Sequence, residues 1–501
     1  MRYVNSESRP CMSCQTQGIG CMSMTPTAYF WSWTTSFTIR TLSKRELCFF
    51  LLTSRHIKRM ISHPVWRNEP AERTVSNQVG EQVEPQLPES INATLSRKGK
   101  SITFPKKGIL GQSAAARGRT INGTIGIALD EQGQPMFLDG LAPMVDLPVT
   151  DVFPYASSFG KPELRHRWLQ MILEKNSKLS AHQLSQPVVT NALTHGLSVA
   201  GSLFLDPCDP LVLADRFWGN YKLIFQHTYD AELKTYPTFD GDGFNVAGLL
   251  TTAQACPGNK VVLLLNFPNN PTGYTCTAAE ANEIRESLVA LAESGRDVVV
   301  LIDDAYFGLV YEDGVMKDSI FAWLADAHER LLAVKIDGST KEDFAWGYRV
   351  GFLTFAFKGA SASQLAILED KAAATVRATI SNASHVGQSL MLAAYNHPDY
   401  PKWKDSAYQQ LWRRYETVRA VFRDHPEYAE SFQPQPFNSG YFLCVKPIGI
   451  DAESVRVKLL EDFDAGVIAA GDLIRIAYSS VPCDDLPKLF QSIHLAIGSL
   501  A

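Results

Sequence analysis

The chain has 501 residues, 45% hydrophobic and 20% charged, with 47 Lys and Arg against 52 Asp and Glu and a pI near 6.1. That composition excludes fibrous and wholly disordered classes, supplies enough apolar residues for a large core, and offers no basic surplus for nucleic acid. Apolar runs such as Cys48–Leu52 are too short to cross a bilayer, which leaves small-molecule chemistry as the default.

Residues 1–67 hold two acids, Glu7 and Glu46, against nine Lys and Arg, with many Ser and Thr and no periodicity. This is the composition of an organelle transit segment, or of a leader ahead of a later start such as Met60. Cys11-x-x-Cys14 has no second CxxC or paired histidines at zinc spacing, so no metal site is expected. The scattered cysteines suggest reduced thiols and an intracellular compartment. The polar stretch "EPAERTVSNQVGEQVEPQLPES" reads as a linker.

From about residue 100, short apolar runs alternate with helical patterns. The runs are "QPVVTN", "DPLVLAD", "KVVLLLNFP", "DVVVLIDDAY", "LLAVKIDG" and "YRVGFLTFAF". The spacing predicts a helix over 277–294 with Thr277 as N-cap, Glu280 three residues on, and Gly295 past its end. Continuous apolar strands between helices imply an α/β fold with a mostly parallel central sheet covered on both faces. Functional groups then belong at the carboxyl ends of the strands.

Four strand ends are polar. After "VVTN", residues Thr190, Ala192, Leu193 and Thr194 open a helix whose free amides can hold a phosphate, or whose threonines simply cap it. In "NFPNNPTGY" a proline–glycine turn places Asn270 at the mouth of a buried strand. Asp303 ends five apolar residues and needs a cationic or hydrogen-bonding partner, with Tyr306 three residues on. In "IDGSTKEDFAWGYRVGF", Lys341 and Arg349 stand where a covalent amine and a phosphate ligand are wanted, although a lone pair of this kind is ordinarily solvated.

Together "NFPNNPTGY", "LIDDAYFG" and "STKEDFAWGYRVGF", in this order, resemble the fold-type I, class I/II aminotransferases, which use pyridoxal 5'-phosphate. The resemblance runs from about residue 100 to the C-terminus. It implies a large cofactor-binding domain at 151–385, a smaller α+β domain combining 89–150 with 386–501, and an extension over 1–88 that is disordered or targeting. It also implies an amino group moved between an L-amino acid, dicarboxylic or aromatic by preference, and a 2-oxo acid by a ping-pong route. Lys341 would form the Schiff base and shuttle the Cα proton. Asp303 would pair with the pyridine nitrogen, Tyr306 and Asn270 with the ring oxygen, and Arg349 with the phosphate beside Ala192, Leu193 and Thr194. "DRFWGNYKLIF" resembles the segment whose aromatic residue, Trp218, stacks on the ring. "YASSFGKPELR" resembles the segment that lends a tyrosine, Tyr155, to a partner subunit's phosphate, which makes a homodimer with shared sites. "GDLIRIAYSS" offers Arg475 for the substrate α-carboxylate, and "INGTIGIALDEQG" offers the amide of Gly126.

Arg377 in "VRATISNAS" matches the arginine that takes a distal carboxylate in aspartate aminotransferases, or is a solvated helix residue paired with Glu369 or Asp370. The sequence departs from the family pattern at four places. The serine common three before the lysine is Gly338, with Ser339 the nearest substitute, Ala192 replaces a common glycine, Glu342-Asp343 sets two acids beside the lysine, and Phe344 replaces a usually small or aliphatic residue. The same scaffold also serves lyases, decarboxylases and ligand-sensing regulators, but residues 1–90 show no helix-turn-helix pattern. No membrane or nucleic-acid partner is expected. The compartment is cytoplasmic, or mitochondrial if 1–67 is a transit segment.

Overall fold

The computed structural model of the chain describes residues 89–102, 108–180 and 183–500. The extension over 1–88, with its cysteine pair and transit-like composition, lies outside the described residues. Leu87–Ala501 forms one compact unit.

Its larger sheet has seven strands: Val188–Asn191 (β1), Pro210–Ala214 (β2), Glu232–Tyr236 (β3), Lys260–Asn266 (β4), Asp297–Asp303 (β5), Leu331–Gly338 (β6) and Val350–Ala356 (β7). Their spatial order is β1-β7-β6-β5-β4-β2-β3. All neighbours pair in parallel except β7, which runs against both β6 and β1. Six strands are the six apolar runs of the sequence. The seventh, β3, is an edge strand with mostly accessible residues, so no apolar run marks it. Near-complete burial along β4 to β6 follows from helices on both faces.

The helix Ala278–Glu293 carries the expected capping box: Glu280 N donates to Thr277 Oγ1 at 3.2 Å, and Thr277 N donates to Glu280 Oε2 at 2.7 Å. A second, antiparallel sheet contains Phe432–Pro434 (β8), Leu443–Pro447 (β9), Ile468–Ala470 (β10) and Leu473–Ile476 (β11), in the order β8-β9-β11-β10. The 25-residue helix Tyr400–Asp424 precedes it. Residues near 121 join the same region, since Ile121–Asn122 pairs in parallel with Ala465–Gly466. Among the described residues no helix is long and apolar enough to cross a membrane.

Register positions the chemistry. Asn266 pairs with Asp303, and Asp303 with Ile336, so β4, β5 and β6 end side by side at one edge of the sheet. A cavity of about 430 Å³ opens there.

Candidate active site

Asp303 is the last residue of β5 and is buried at the cavity wall. Tyr221 Oη donates to its Oδ2 at 2.5 Å and Ala305 N to its Oδ1 at 3.1 Å. Burial raises its proton affinity. The Tyr221 bond and the Lys341 charge oppose that, and the balance leaves the carboxyl above its ordinary range. Asn266, ending β4, donates to the Asp303 carbonyl at 2.8 Å and accepts from Asn270 N at 2.9 Å. Asn270 and Tyr306 both line the cavity, where burial raises and Asn270 lowers the Tyr306 proton affinity, with a net upward shift. The turn that carries Asn270 needs its glycine: Gly273 has φ +75° and an added Cβ would stand 1.9 Å from Phe442 O.

Lys341 sits on a single helical turn, Ser339–Glu342, directly after β6. Four residues cannot hold a helix by themselves, so tertiary contacts must fix this turn. The amine lines the cavity 5.2 Å from the Tyr306 ring centroid. Among the described residues it makes no hydrogen bond and no ion pair. Burial depresses its pKa, Asp303 pulls the other way, Arg349 adds to the depression, and the net shift is downward. A lysine held this way keeps more neutral amine for nucleophilic attack.

The helix Ala192–Phe204, which follows β1, brings Leu193, Thr194 and Leu197 to the cavity, and β1 is held against β7. Val350 pairs with Asn191 and Gly351 with Thr190. An added Cβ on Gly351 would lie 2.6 Å from the Ala192 carbonyl carbon, so this close approach excludes any side chain. Ala192 and Arg349 both adopt left-handed backbone, φ 61° and 57°, uncommon for residues with a side chain. The helix Ala192–Phe204 has no side-chain cap. Thr190 Oγ1 donates to Ala192 O instead, at 3.0 Å, so the first-turn amides stay open to an anion.

Arg475 lies on β11, paired on both sides, and is 3% exposed. Its Nη2 donates to Thr124 O at 3.3 Å, its Nε has no partner, and its guanidinium carbon stands 4.6 Å from the Phe442 ring centroid. Burial lowers its pKa. It pairs with no carboxylate among the described residues, and a buried cation without one is costly, so the cavity is made for an acidic ligand.

Nine of the residues named from sequence line this one cavity: Lys341, Asp303, Tyr306, Asn270, Trp218, Leu193, Thr194, Arg475 and Gly126. Others do not. Ser339 is fully buried and its hydroxyl donates to Val350 O at 3.3 Å, turned from the cavity because the single helical turn packs that face against β7. Ala192 is buried behind Leu193, and Arg349 donates to Trp346 O at 3.1 Å while acting on Lys341 through its charge. Tyr155 is 90% exposed. Arg377 is exposed on the helix Ala362–Ile380, and Glu369 is paired with Arg165 at 2.8 Å. Sequence reasoning missed Tyr221, although it lies three residues after Trp218 in the same quoted segment. It also missed Asn266, Thr124 and the helix Ile109–Ala115, which supplies Ile109, Leu110 and Ser113 to the wall.

The donor set fits pyridoxal phosphate. Among the described residues a buried acid has no ion-pair partner, a buried amine makes no hydrogen bond or ion pair, and a helix start without a side-chain cap faces the same space.

The sequence profile of the family described as aminotransferase class I and II matches residues 149–493. An aspartate aminotransferase of Thermotoga maritima is 31% identical over 216 residues, 42% of this chain and 52% of that protein. A probable N-acetyl-LL-diaminopimelate aminotransferase of Bacillus subtilis is 27% identical over 203 residues, 40% of this chain and 48% of that protein. The chain thus spans about half the length of these relatives. Among solved structures, an aminotransferase from Anaerococcus prevotii shares the fold with a TM-score of 0.70 at 22% identity, over 80% of this chain and 98% of that one. A Pyrococcus horikoshii kynurenine aminotransferase in complex with PMP gives 0.68 at 17% identity, over 82% and 98%.

Proposed function

Because the chain belongs to the aminotransferase class I and II family, we propose that it transfers an amino group between an L-amino acid, dicarboxylic or aromatic by preference, and a 2-oxo acid. The observation that carries this is the Lys341 amine, without a hydrogen bond or ion pair among the described residues, sharing one cavity with Asp303 and with Arg475, which meets no carboxylate among them. Pyridoxal phosphate, when bound, supplies the electron sink that makes loss of the substrate's Cα proton accessible.

The chain's own groups do the rest. Lys341 would anchor the cofactor and, once displaced by substrate, its amine would take the Cα proton. Asp303 would pair with the ring nitrogen and favour its protonated form, and Tyr221 fixes that carboxylate by its hydrogen bond. Asn270 and Tyr306, which line the same cavity, would hold the ring oxygen. Leu193 and Thr194 would hold the phosphate, Arg349 would add its positive charge from beside the cavity, and Trp218 would cover the ring. Arg475 offers two parallel N–H donors to the α-carboxylate, and the amide of Gly126 adds a third. The two half-reactions use the same site in turn, which gives ping-pong kinetics.

A homodimer is supported by exposed Phe153 and Tyr155, 79% and 90% accessible, beside the segment expected to reach a partner's site. In that assembly Arg377 would meet the distal carboxylate of a dicarboxylic substrate. The test is product analysis with 2-oxoglutarate as acceptor. Equimolar appearance of glutamate and a new 2-oxo acid supports transfer, and release of ammonia or carbon dioxide overturns it.

A further inference from the structure

Asp303 and Lys341 are each followed by an acid that the fold buries outside the main cavity: Asp304, 1% exposed, and Glu342, 3% exposed. These acids belong to one ionic layer. Lys335 of β6 pairs with Asp304 and, at 3.3 Å, with Asp337, whose other oxygen accepts from Trp168 Nε1 at 3.1 Å. Glu342 pairs with Lys175 and, at 3.5 Å, with Lys404. Asp343, fully buried, accepts from Tyr395 Oη at 2.8 Å, Tyr400 Oη at 2.7 Å and Lys404 Nζ at 3.0 Å. Lys404 also donates to the Glu342 carbonyl, so one ammonium in the first turns of the helix Tyr400–Asp424 grips the residues next to Lys341 at three oxygens.

Three observations argue that the layer does more than fill space. Ions this deep stabilise a fold less than apolar groups of the same volume would, which makes them a poor choice for mere packing. Phe344, next in the chain, has φ +55°, a strained backbone for a bulky residue that persists only where the surroundings over-determine it. Behind the Lys341 turn lies a second cavity of about 300 Å³, lined by Lys175, Glu342, Phe344 and Lys404. On that side Glu342, the last residue of the turn, is held by its ion pairs with Lys175 and Lys404.

We propose that this buried ionic layer is a positioning device that fixes Lys341 relative to Asp303, with Lys404 as its tie to the helix Tyr400–Asp424. The inference rests on the reading of Lys341 as the cofactor anchor. The test compares wild type with Lys404→Met as holoenzymes, by visible circular dichroism per bound cofactor, kcat, KM and Tm. The expected result is an altered visible signal and a kcat lower by about tenfold with KM within about twofold, since a small displacement of a reacting group is costly. Lys404→Arg recovers most of both. Tyr400→Phe, which removes one of three donors from Asp343 and leaves the ions intact, gives a smaller change in the same direction even if Lys404→Met does not fold. A lowered Tm with wild-type visible signal and kcat in these variants would overturn the proposal. A wild-type protein without any cofactor-derived visible band would overturn the reading of Lys341 and the proposal with it.

Discussion

Asp303 and Asp304 are neighbours in sequence, as are Lys341 and Glu342, yet the two members of each pair live under opposite rules. On the cavity side, among the described residues, charges lack partners: the Lys341 amine makes no hydrogen bond or ion pair, Asp303 is met by neutral donors, and Arg475 leaves Nε unpaired. In the ionic layer, three lysines serve four acids, with Lys335 against Asp304 and Asp337, and Lys175 and Lys404 against Glu342 and Asp343. The difference separates two uses of buried charge. An unpaired group waits for a ligand, whereas a paired group fixes the backbone from which the unpaired one projects.

That contrast is open to direct tests. The largest effect is expected for Lys341→Ala, which should lower the transfer rate by more than about a thousandfold while leaving the Tm of the cofactor-free protein no lower, because no bond is lost. A clear loss of stability would place Lys341 among the structural charges. Lys335→Met should do the reverse, costing about 3–5 kcal/mol in denaturant unfolding because it strands Asp304 and Asp337 in the interior. Unchanged stability would break the comparison. Arg475→Leu should reduce kcat/KM roughly 30- to 1,000-fold, about 2–4 kcal/mol, without lowering Tm.

The smallest expected effect concerns pH. Burial pushes the Asp337 carboxyl up to about 6 against the pull of Lys335. Its folded pKa lies above the unfolded value, so its ionisation costs stability as pH rises from about 4 through 6. Asp337→Asn removes that cost. Denaturant titrations should show the variant gaining on wild type across this window and running parallel above it, whereas a constant offset would contradict the assignment.

The cavity side of the molecule was largely legible in the sequence, and the ionic layer was not. Asp303, Asn270 and Lys341 end or follow apolar runs that read as strands of one sheet, which brings them to a common edge, and the family resemblance of "GDLIRIAYSS" added Arg475. The box of Thr277 and Glu280 was equally plain because its bonds span three residues. The layer joins residues 31 positions apart, as with Lys335 and Asp304, or 61 apart, as with Lys404 and Asp343. Local patterns report which face a residue takes and say nothing of what stands opposite. Glu342-Asp343 therefore looked like a misplaced pair of acids, when both are buried against lysines from helices Pro162–Lys175 and Tyr400–Asp424. Tyr221 stayed hidden for the same reason, its partner lying 82 residues away.

The central claim is that Lys341 anchors pyridoxal phosphate in a cavity that also binds an amino acid through Arg475. An absorbance spectrum of the purified protein with added pyridoxal phosphate, titrated with amino acids in turn, tests it most directly. The account predicts a visible band that a substrate amino acid depletes and that Lys341→Ala lacks. No band in wild type, or an undiminished one in Lys341→Ala, would contradict it.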